Sequence, residues 1–307
     1  MYLLNERVEC KSRSDRIEVF PFFDCHIGKR NCAEHAIKKQ IGEILKRSEM
    51  PNRHVRVLLG GDQLNMIHPA DLRRFDFAEL ADWFLDSNAE TTRERLGDMV
   101  NQEVNHAVEV FRPIQQFTLG AIYGKHEKDM RTRQNIDVQA AFCDRLGIIN
   151  LTDEAIIRLQ MVRHTKSGKE TQVSVVKLYL RHGYGAGRTA GAEPNKLYRM
   201  LAEWEEIDVC LSGHTHTFNI SPPKPVARIP NRGKLPERLD YRYRFAANPG
   251  CWLYSHQKGT GSYESMACYP ARPMMTLKVV IWPFWGMRRD KRLIERPKIE
   301  LRQYPIL

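Results

Sequence analysis

The stretch Ile17-Glu18-Val19-Phe20-Pro21-Phe22-Phe23-Asp24-Cys25-His26 decides the fold. Its β-branched and aromatic residues from Ile17 to Phe23 read as a strand, and that strand runs into a polar Asp-x-His. The same order recurs along the chain. Val55–Leu59 reads as a second buried strand, halted by Gly60-Gly61 and followed by Asp62. Phe117–Tyr123 reads as a third, followed by Gly124-Lys125-His126-Glu127. Between the first two, Ala36, Ile37, Ile41, Ile44 and Leu45 recur at helical spacing and predict an amphipathic helix over Ala33–Ser48. Further helices are expected at Arg131–Leu146 and Lys196–Glu205, with two or three more between Pro69 and Arg112. Further strands are expected at Ala155–Arg163, Gln172–Leu180, Asp208–Ser212 and Met275–Trp282. Strands alternating with helices predict a layered α/β domain with substantial parallel pairing.

The composition bounds the function classes. At 307 residues, 42% hydrophobic and 28% charged, the chain reads as soluble and globular with a sizeable core. No apolar run reaches the roughly 18 residues of a membrane-spanning helix, so no membrane partner is expected. Met1 to Asp15 is charged and lacks the apolar core of a secretory signal. Seven cysteines, an odd number without a CxxC pair, read as reduced thiols and not as a disulfide framework or zinc knuckle. Both features point to the cytoplasm. The net charge of +11 attracts polyanions and anionic small molecules alike. Two stretches concentrate it. Pro222–Arg244 carries Lys224, Arg228, Arg232, Lys234, Arg238, Arg242 and Arg244, and Gly286–Arg302 carries Arg288, Arg289, Lys291, Arg292, Arg296, Lys298 and Arg302. Each reads either as a solvated surface or as the flank of an anionic substrate path. The expected organisation is one domain over residues 1–285, with a helical insertion at about 69–112, and a basic C-terminal tail over 286–307.

The strand-end motifs carry the chemistry. Besides Asp24 and His26, Asp62 and His126, they include Arg181-His182-Gly183 and Ser212-Gly213-His214-Thr215-His216. Ligand sites in α/β sheets lie beyond the carboxyl ends of the strands, so these side chains can converge on one crevice. Convergent Asp and His are ligands for divalent metals such as Mn, Fe or Zn. Strand alternation would put Asp24 and His26 on one side, and likewise His214 and His216, while Cys25 points away as a packed thiol. Asp62, after a double glycine, is placed to bridge two ions. Two metals about 3.5–4 Å apart can clamp a phosphate and lower the pKa of a bound water, which is phosphoester hydrolysis. His35, His54, His68, His106, His164 and His256 match no motif and read as surface or core residues. Glu127 reads as a structural acceptor or cap.

The ordered set D-x-H, G-D, G-x-H-E, H and G-H-T-H, from about Phe20 to Gly250, resembles the calcineurin-like metallophosphoesterase superfamily. Asn248-Pro249-Gly250-Cys251 is similar to the Asn-Pro-Gly-Ser turn of many members, and His182–Arg188 and Tyr263–Pro270 are similar to uncharacterised bacterial and phage-type members. The resemblance implies a four-layer α/β/β/α sandwich of two mixed β-sheets flanked by helices. It implies that Asp24, His26, Asp62 and His216 hold one divalent ion, and Asp62, His182 and His214 a second. Mn²⁺ is the expected ion, with Fe, Zn or Mg as alternatives and one or two ions bound. A metal-bound hydroxide would attack phosphorus in line, and His126 would stabilise the transition state or protonate the leaving oxygen.

Two positions depart from the family pattern. Lys125 stands where the family has an asparagine that ligates the second metal, and an ammonium has no lone pair to offer. Lys125 could turn away, replace the second ion as a fixed charge against phosphate, or mark a degenerate site. Asn65 stands where many members carry an aspartate that orients the catalytic histidine; it keeps a hydrogen-bonding side chain and loses the charge. Arg188, in the glycine-rich loop after His182, reads either as a phosphate contact or as a plain loop arginine. Tyr184 and Tyr263 read either as stacking partners for a base or as core or rim packing. The functional expectation is a metal-dependent phosphodiesterase acting on nucleic acid, that is, a nuclease. One alternative is a phosphoesterase for a small nucleotide or cyclic nucleotide, with the Pro69–Arg112 segment as a cap. Another, of a different class, is a catalytically weakened metal-binding scaffold.

Overall fold

In chain order the strands are β1 (Tyr2–Cys10), β2 (Arg16–Phe22), β3 (Arg53–Leu59), β4 (Thr118–Ala121), β5 (Glu154–His164), β6 (Glu170–Arg181), β7 (Val209–Ser212), β8 (Asn219–Ile220), β9 (Lys224–Arg228), β10 (Asp240–Asn248), β11 (Met275–Arg289) and β12 (Arg292–Pro305). The helices are α1 (Glu34–Ser48), the one-turn α2 (Asp82–Leu85), α3 (Met99–Phe111), α4 (Lys125–Gln134), α5 (Val138–Leu146) and α6 (Ala192–Glu203). The computed structural model describes residues 1–67, 75–85, 98–164, 168, 170–185, 191–228, 240–255, 274–289 and 292–305. Arg188, Tyr263, His68 and His256 lie outside the described residues, as do Arg232, Lys234, Arg238, Lys291 and much of the stretch expected as an insertion.

Two mixed sheets form. One runs β1-β5-β6-β7-β10-β8, with β9 also on β10; the other runs β12-β11-β2-β3-β4. β2, β3 and β4 are parallel, and β11 pairs antiparallel with both β2 and β12. The sheets face one another across a shared core in which Ile17, Val19 and Leu58 meet Ile157, Leu178 and Leu211. On the outer face of the five-stranded sheet, Phe20, Phe22, Val55 and Val57 pack with Ala36, Ile37, Ile41 and Ile44 of α1 and with α3 and α5. On the outer face of the other, Tyr179, Cys210 and Ala246 pack with Leu197, Met200 and Leu201 of α6. The result is the four-layer α/β/β/α arrangement. β2 and β3 are covered on both faces, which is why they read as continuous apolar runs.

The elements that sequence misjudged lie at sheet edges or short turns. β1 was invisible as a strand because its Glu6, Arg7 and Glu9 alternate with Val8 and Cys10 on a half-exposed edge. Residues 292–305, expected as part of a basic tail, form β12 along the full length of β11. There Lys298 lies over the rings of Trp282 and Trp285, and Arg302 over Trp282, so these cations cover aromatic surface. The single helix expected over Arg131–Leu146 is two: α4 ends at left-handed Asn135, and Asp137 caps α5 by accepting from the Ala140 N–H. Among the described residues Cys10, Cys25, Cys32, Cys143 and Cys210 are free thiols. No helix among the described residues is long and apolar enough to cross a membrane.

One buried acid has a measurable signature. A Cβ on Gly28 would lie 2.6 Å from Glu103 Oε2, so α3 approaches the β2–α1 loop only because that residue is glycine. Glu103 Oε1 accepts from the Met66 N–H at 2.9 Å, whereas Oε2 is buried with no hydrogen-bond partner. Burial pushes the carboxyl up to about 8, against the pull of hydrogen bonds from the backbone of Met66 and Asn65. The folded protein therefore holds Glu103 protonated at pH values where the unfolded chain has released the proton. Its contribution to stability is complete below the ordinary value of 4.5, falls as pH rises toward about 8, and is flat beyond. Glu103→Gln should gain on the wild type between pH 5 and pH 8 with a limiting slope of about 1.4 kcal/mol per pH unit. Urea unfolding of both proteins across that range measures it; a difference independent of pH would contradict the assignment.

Candidate metal centre

The carboxyl ends of β2, β3, β6 and β7 open onto one crevice, together with the segment that leads from β4 into α4. Asp24 and His26 follow β2. Their loop is laced to the loop after β3 by the bonds Asp24 N–H to Gly61 O, His26 N–H to Asp62 O and Ile27 N–H to Gln63 O, at 2.9–3.1 Å. Asp24 and His26 do not continue an extended strand, as the alternation argument required. Asp24, His26, Asp62, His214 and His216 all have φ between 49° and 74°, five of the nine non-glycine residues in this region among those described. Successive left-handed turns, and not strand pleating, put these side chains on one side. Such conformations cost of order 1–3 kcal/mol each and cluster at functional sites. Cys25, between two of them, packs into the core as expected.

Three groups of donors converge, each with its atoms within 4.8 Å of one another: Asp24, His26 and His216; His26, Asp62 and His126; and Asp62, His182 and His214. Asp24 and Asp62 are buried to 0% and 2% exposure. His182 Nδ1 donates to the Gly60 carbonyl at 2.9 Å, which turns Nε2 toward Asp62 Oδ2 at 3.0 Å and Asp24 Oδ1 at 3.6 Å. His26 Nε2 and His216 Nε2 face each other at 3.1 Å, and His216 Nε2 lies 3.5 Å from Asp24 Oδ1. His26 Nδ1 is buried with no hydrogen-bond partner. Lone pairs pointed at one another in this way need protons or a cation between them. The donor set of carboxylate and imidazole fits a divalent ion, so these buried His and Asp groups could hold one.

The electrostatics follow the same geometry. Burial opposes ionisation of Asp62, but His182, His126 and His26 outweigh it and hold the carboxyl well below its usual range. Burial also opposes the charge on His182, and Asp62 with Asp24 reverses this to raise it to about 9. Burial and then the charges of neighbouring imidazoles lower His26 well below its usual value and His214 to about 4. Glu127 is the structural acceptor that its position suggested. It takes the backbone N–H of Asp62, Leu64 and Gly124 at 3.0–3.1 Å and so ties α4 to the Asp62 loop.

His126 occupies the first turn of α4. Its backbone N–H donates to Asp62 Oδ1 at 2.7 Å, and its ring stands 4.7 Å from that of His26. The orienting role expected of the Asn65 side chain is corrected. The Asn65 backbone carbonyl accepts from His126 Nδ1, while its Oδ1 is buried with no hydrogen-bond partner. Lys125 turns away from the crevice: half exposed, its ammonium pairs with Asp129 one turn along α4 at 2.5 Å. The second donor group therefore consists of Asp62, His182 and His214 without a contribution from position 125.

Asn248 carries a function that its motif did not disclose. Its Nδ2 donates to Thr215 Oγ1 and Glu193 Oε1, each at 2.9 Å, and Thr215 donates to Glu193 Oε2. This buried triangle clamps the loop between the left-handed His214 and His216. The sequence also gave no sign of Lys196. On α6, its Nζ is buried with no hydrogen-bond partner and lies 3.2 Å from where a Cβ on Gly183 would stand, beside His182. Part of the expected basic path is otherwise engaged. Arg242 pairs with Asp208 at 2.8 Å. Arg244 is buried and donates to the carbonyls of Ile207, Leu201 and Trp204, closing the C-terminal end of α6.

No family model matches the chain, and no curated protein matches it. Among solved structures, a conserved uncharacterized protein from Streptococcus pneumoniae TIGR4, titled a predicted phosphoesterase, overlaps it with a TM-score of 0.31 at 13% identity, covering 94% of this chain and 98% of that one. An overlap of that size decides neither family nor activity.

Proposed function

We propose that the protein is a metal-dependent phosphodiesterase acting on nucleic acid. The observation that carries the reading is the convergence of Asp24, His26 and His216 with Asp62, His182 and His214 in one buried crevice, with His126 beside both groups. Asp24, His26, Asp62 and His216 would hold one ion, and Asp62, His182 and His214 a second, with Mn²⁺ as the ion to test first. Bound divalent ions would place charge against the phosphoryl oxygens and lower the pKa of a coordinated water. His126 is oriented by the Asn65 carbonyl at Nδ1 and would use Nε2 to protonate the leaving oxygen. The Lys196 ammonium is buried with no hydrogen-bond partner, feels the Glu193 and Asp24 carboxylates only through space, and would pair with a phosphoryl oxygen.

The net charge of +11 supports a polyanionic substrate. A second reading, a small phosphoester, is favoured by the internal engagement of Arg242, Arg244, Lys298 and Arg302. The test is hydrolysis of labelled single- and double-stranded DNA and RNA with Mn²⁺, with EDTA and His126→Ala as controls. Cleavage lost in both controls is the expected result. Hydrolysis of a generic small phosphodiester that is indifferent to excess unlabelled DNA or RNA would replace the nuclease reading with the small-substrate one. No hydrolysis of any phosphoester with any divalent ion would leave the scaffold.

Lys196→Met keeps the length of the side chain and removes its charge. A charge-assisted contact of about 1.5–3 kcal/mol predicts a KM raised about 10- to 100-fold, with kcat changed less. An unchanged KM would remove Lys196 from the substrate path.

A further inference from the structure

A separate cluster lies at the other end of β2 and β3, where those strands begin. Cys10 ends β1, Asp15 sits in the β1–β2 turn, and His54 is the second residue of β3. One donor atom from each, a thiol sulfur, a carboxylate oxygen and an imidazole nitrogen, lie within 4.8 Å of one another. Cys10 and Asp15 are buried to 2% and 1% exposure, and His54 is half-buried. His54 Nε2 stands 3.2 Å from Asp15 Oδ2. The Asp15 carboxylate is held in place by the Lys11 N–H at 2.7 Å and the Ser12 hydroxyl at 2.6 Å. The three residues come from three segments and from both sheets, since β1 belongs to the seven-stranded sheet and β3 to the five-stranded one.

We propose that Cys10, Asp15 and His54 bind a single zinc ion that staples the two sheets together at the end remote from the candidate centre. Thiolate, imidazole and carboxylate are the zinc donor types, and three protein ligands leave a fourth tetrahedral position for water. A sulfur donor separates this site from the candidate centre, whose donors are imidazole and carboxylate only. Without an ion, burial with the nearby Asp15 and Glu9 carboxylates pushes the Cys10 thiol up to about 12, so the sulfur is protonated. Binding breaks the S–H bond, forms the S–Zn bond and releases the proton to solvent. The ion would then link positions that backbone hydrogen bonds do not join, because β1 and β3 belong to different sheets.

Cobalt(II) reports a thiolate ligand by a near-ultraviolet charge-transfer absorption that imidazole and carboxylate do not give. The full-length protein, stripped with chelator, is titrated with Co²⁺. The expected result is a thiolate band that saturates at one ion, is displaced by Zn²⁺, is lost in Cys10→Ser and weakened in His54→Gln, and persists in Asp62→Asn. In the Asp62→Asn background Zn²⁺ should also raise the Tm by about 2 °C or more, and that rise should vanish when Cys10→Ser is added. Cobalt binding without a thiolate band, or a band that survives Cys10→Ser, would overturn the proposal and leave an Asp15–His54 ion pair beside a packed thiol.

Discussion

Asp62→Asn is expected to lower phosphodiester hydrolysis about a thousandfold or more while leaving the fold intact. The substitution is isosteric, and its remaining oxygen can still accept the His126 N–H that Asp62 Oδ1 takes at 2.7 Å. It removes the charge that faces His182 at 3.0 Å and that the surrounding imidazoles hold in the ionised form. In the proposed arrangement Asp62 is the one ligand common to both ions. Losing the metal contribution to charge stabilisation, about 4 kcal/mol, corresponds to about three powers of ten in rate. Manganese content measured on the same samples gives an independent readout and should fall as well. Activity within tenfold of wild type at full metal content would remove Asp62 from the centre.

Gly124→Ala should disable the same centre by space alone. The backbone of Gly124 is ordinary, with φ at −91°, but a Cβ there would lie 1.9 Å from Asp62 N and 2.1 Å from Asp62 Oδ1. Neither atom can retreat without breaking a bond to α4: the Asp62 N–H donates to Glu127, and Oδ1 accepts from His126. The methyl group must therefore push α4 and the Asp62 loop apart. The expected cost is about 1–3 kcal/mol of stability, together with loss of metal affinity. Gly42→Ala is the control. That glycine lies inside α1 with nothing within 4 Å of its would-be Cβ, so alanine should stabilise by about 0.5–1 kcal/mol. Urea unfolding and metal titration of the two variants read both effects. Equal stability of Gly124→Ala and wild type would mean that α4 and the Asp62 loop are not locked together.

The sequence disclosed most where burial was complete. β2 and β3 announce themselves because both faces are covered, and the helical spacing of α1 follows from the sheet beneath it. The order of the Asp and His motifs located the crevice because each follows a strand end. What stayed hidden depends on backbone atoms or on pairing partners far along the chain. The left-handed turns at Asp24, His26, His214 and His216 use Asp and His, which reach this region more often than other non-glycine residues but still in a small minority of positions, so the sequence does not mark them. The carbonyl of Asn65, not its amide, holds His126, and a carbonyl looks the same at every position in a sequence. β1 and β12 are half-exposed edge strands whose charges resemble a surface loop or tail. Arg244 shows the limit of counting charge: in sequence it belongs to a basic run, and in the fold it closes a helix end.

The place of β2 in the second sheet has a consequence for how the chain is made. One side of this strand pairs with β3, which follows within a few dozen residues; the other pairs with β11, where Val19 meets Val279 and Ile17 meets Ile281. Glu18, buried on β2, likewise has Arg47 and Arg53 nearby in sequence but receives Lys278 only from β11. A ribosome delivers the chain in order from the N-terminus. During synthesis, then, a strand at the heart of the protein waits with an unpaired apolar edge until β11 has emerged, long after β3. The nascent chain is most prone to stick to its neighbours in that interval, and the arrival of the β11–β12 hairpin ends it.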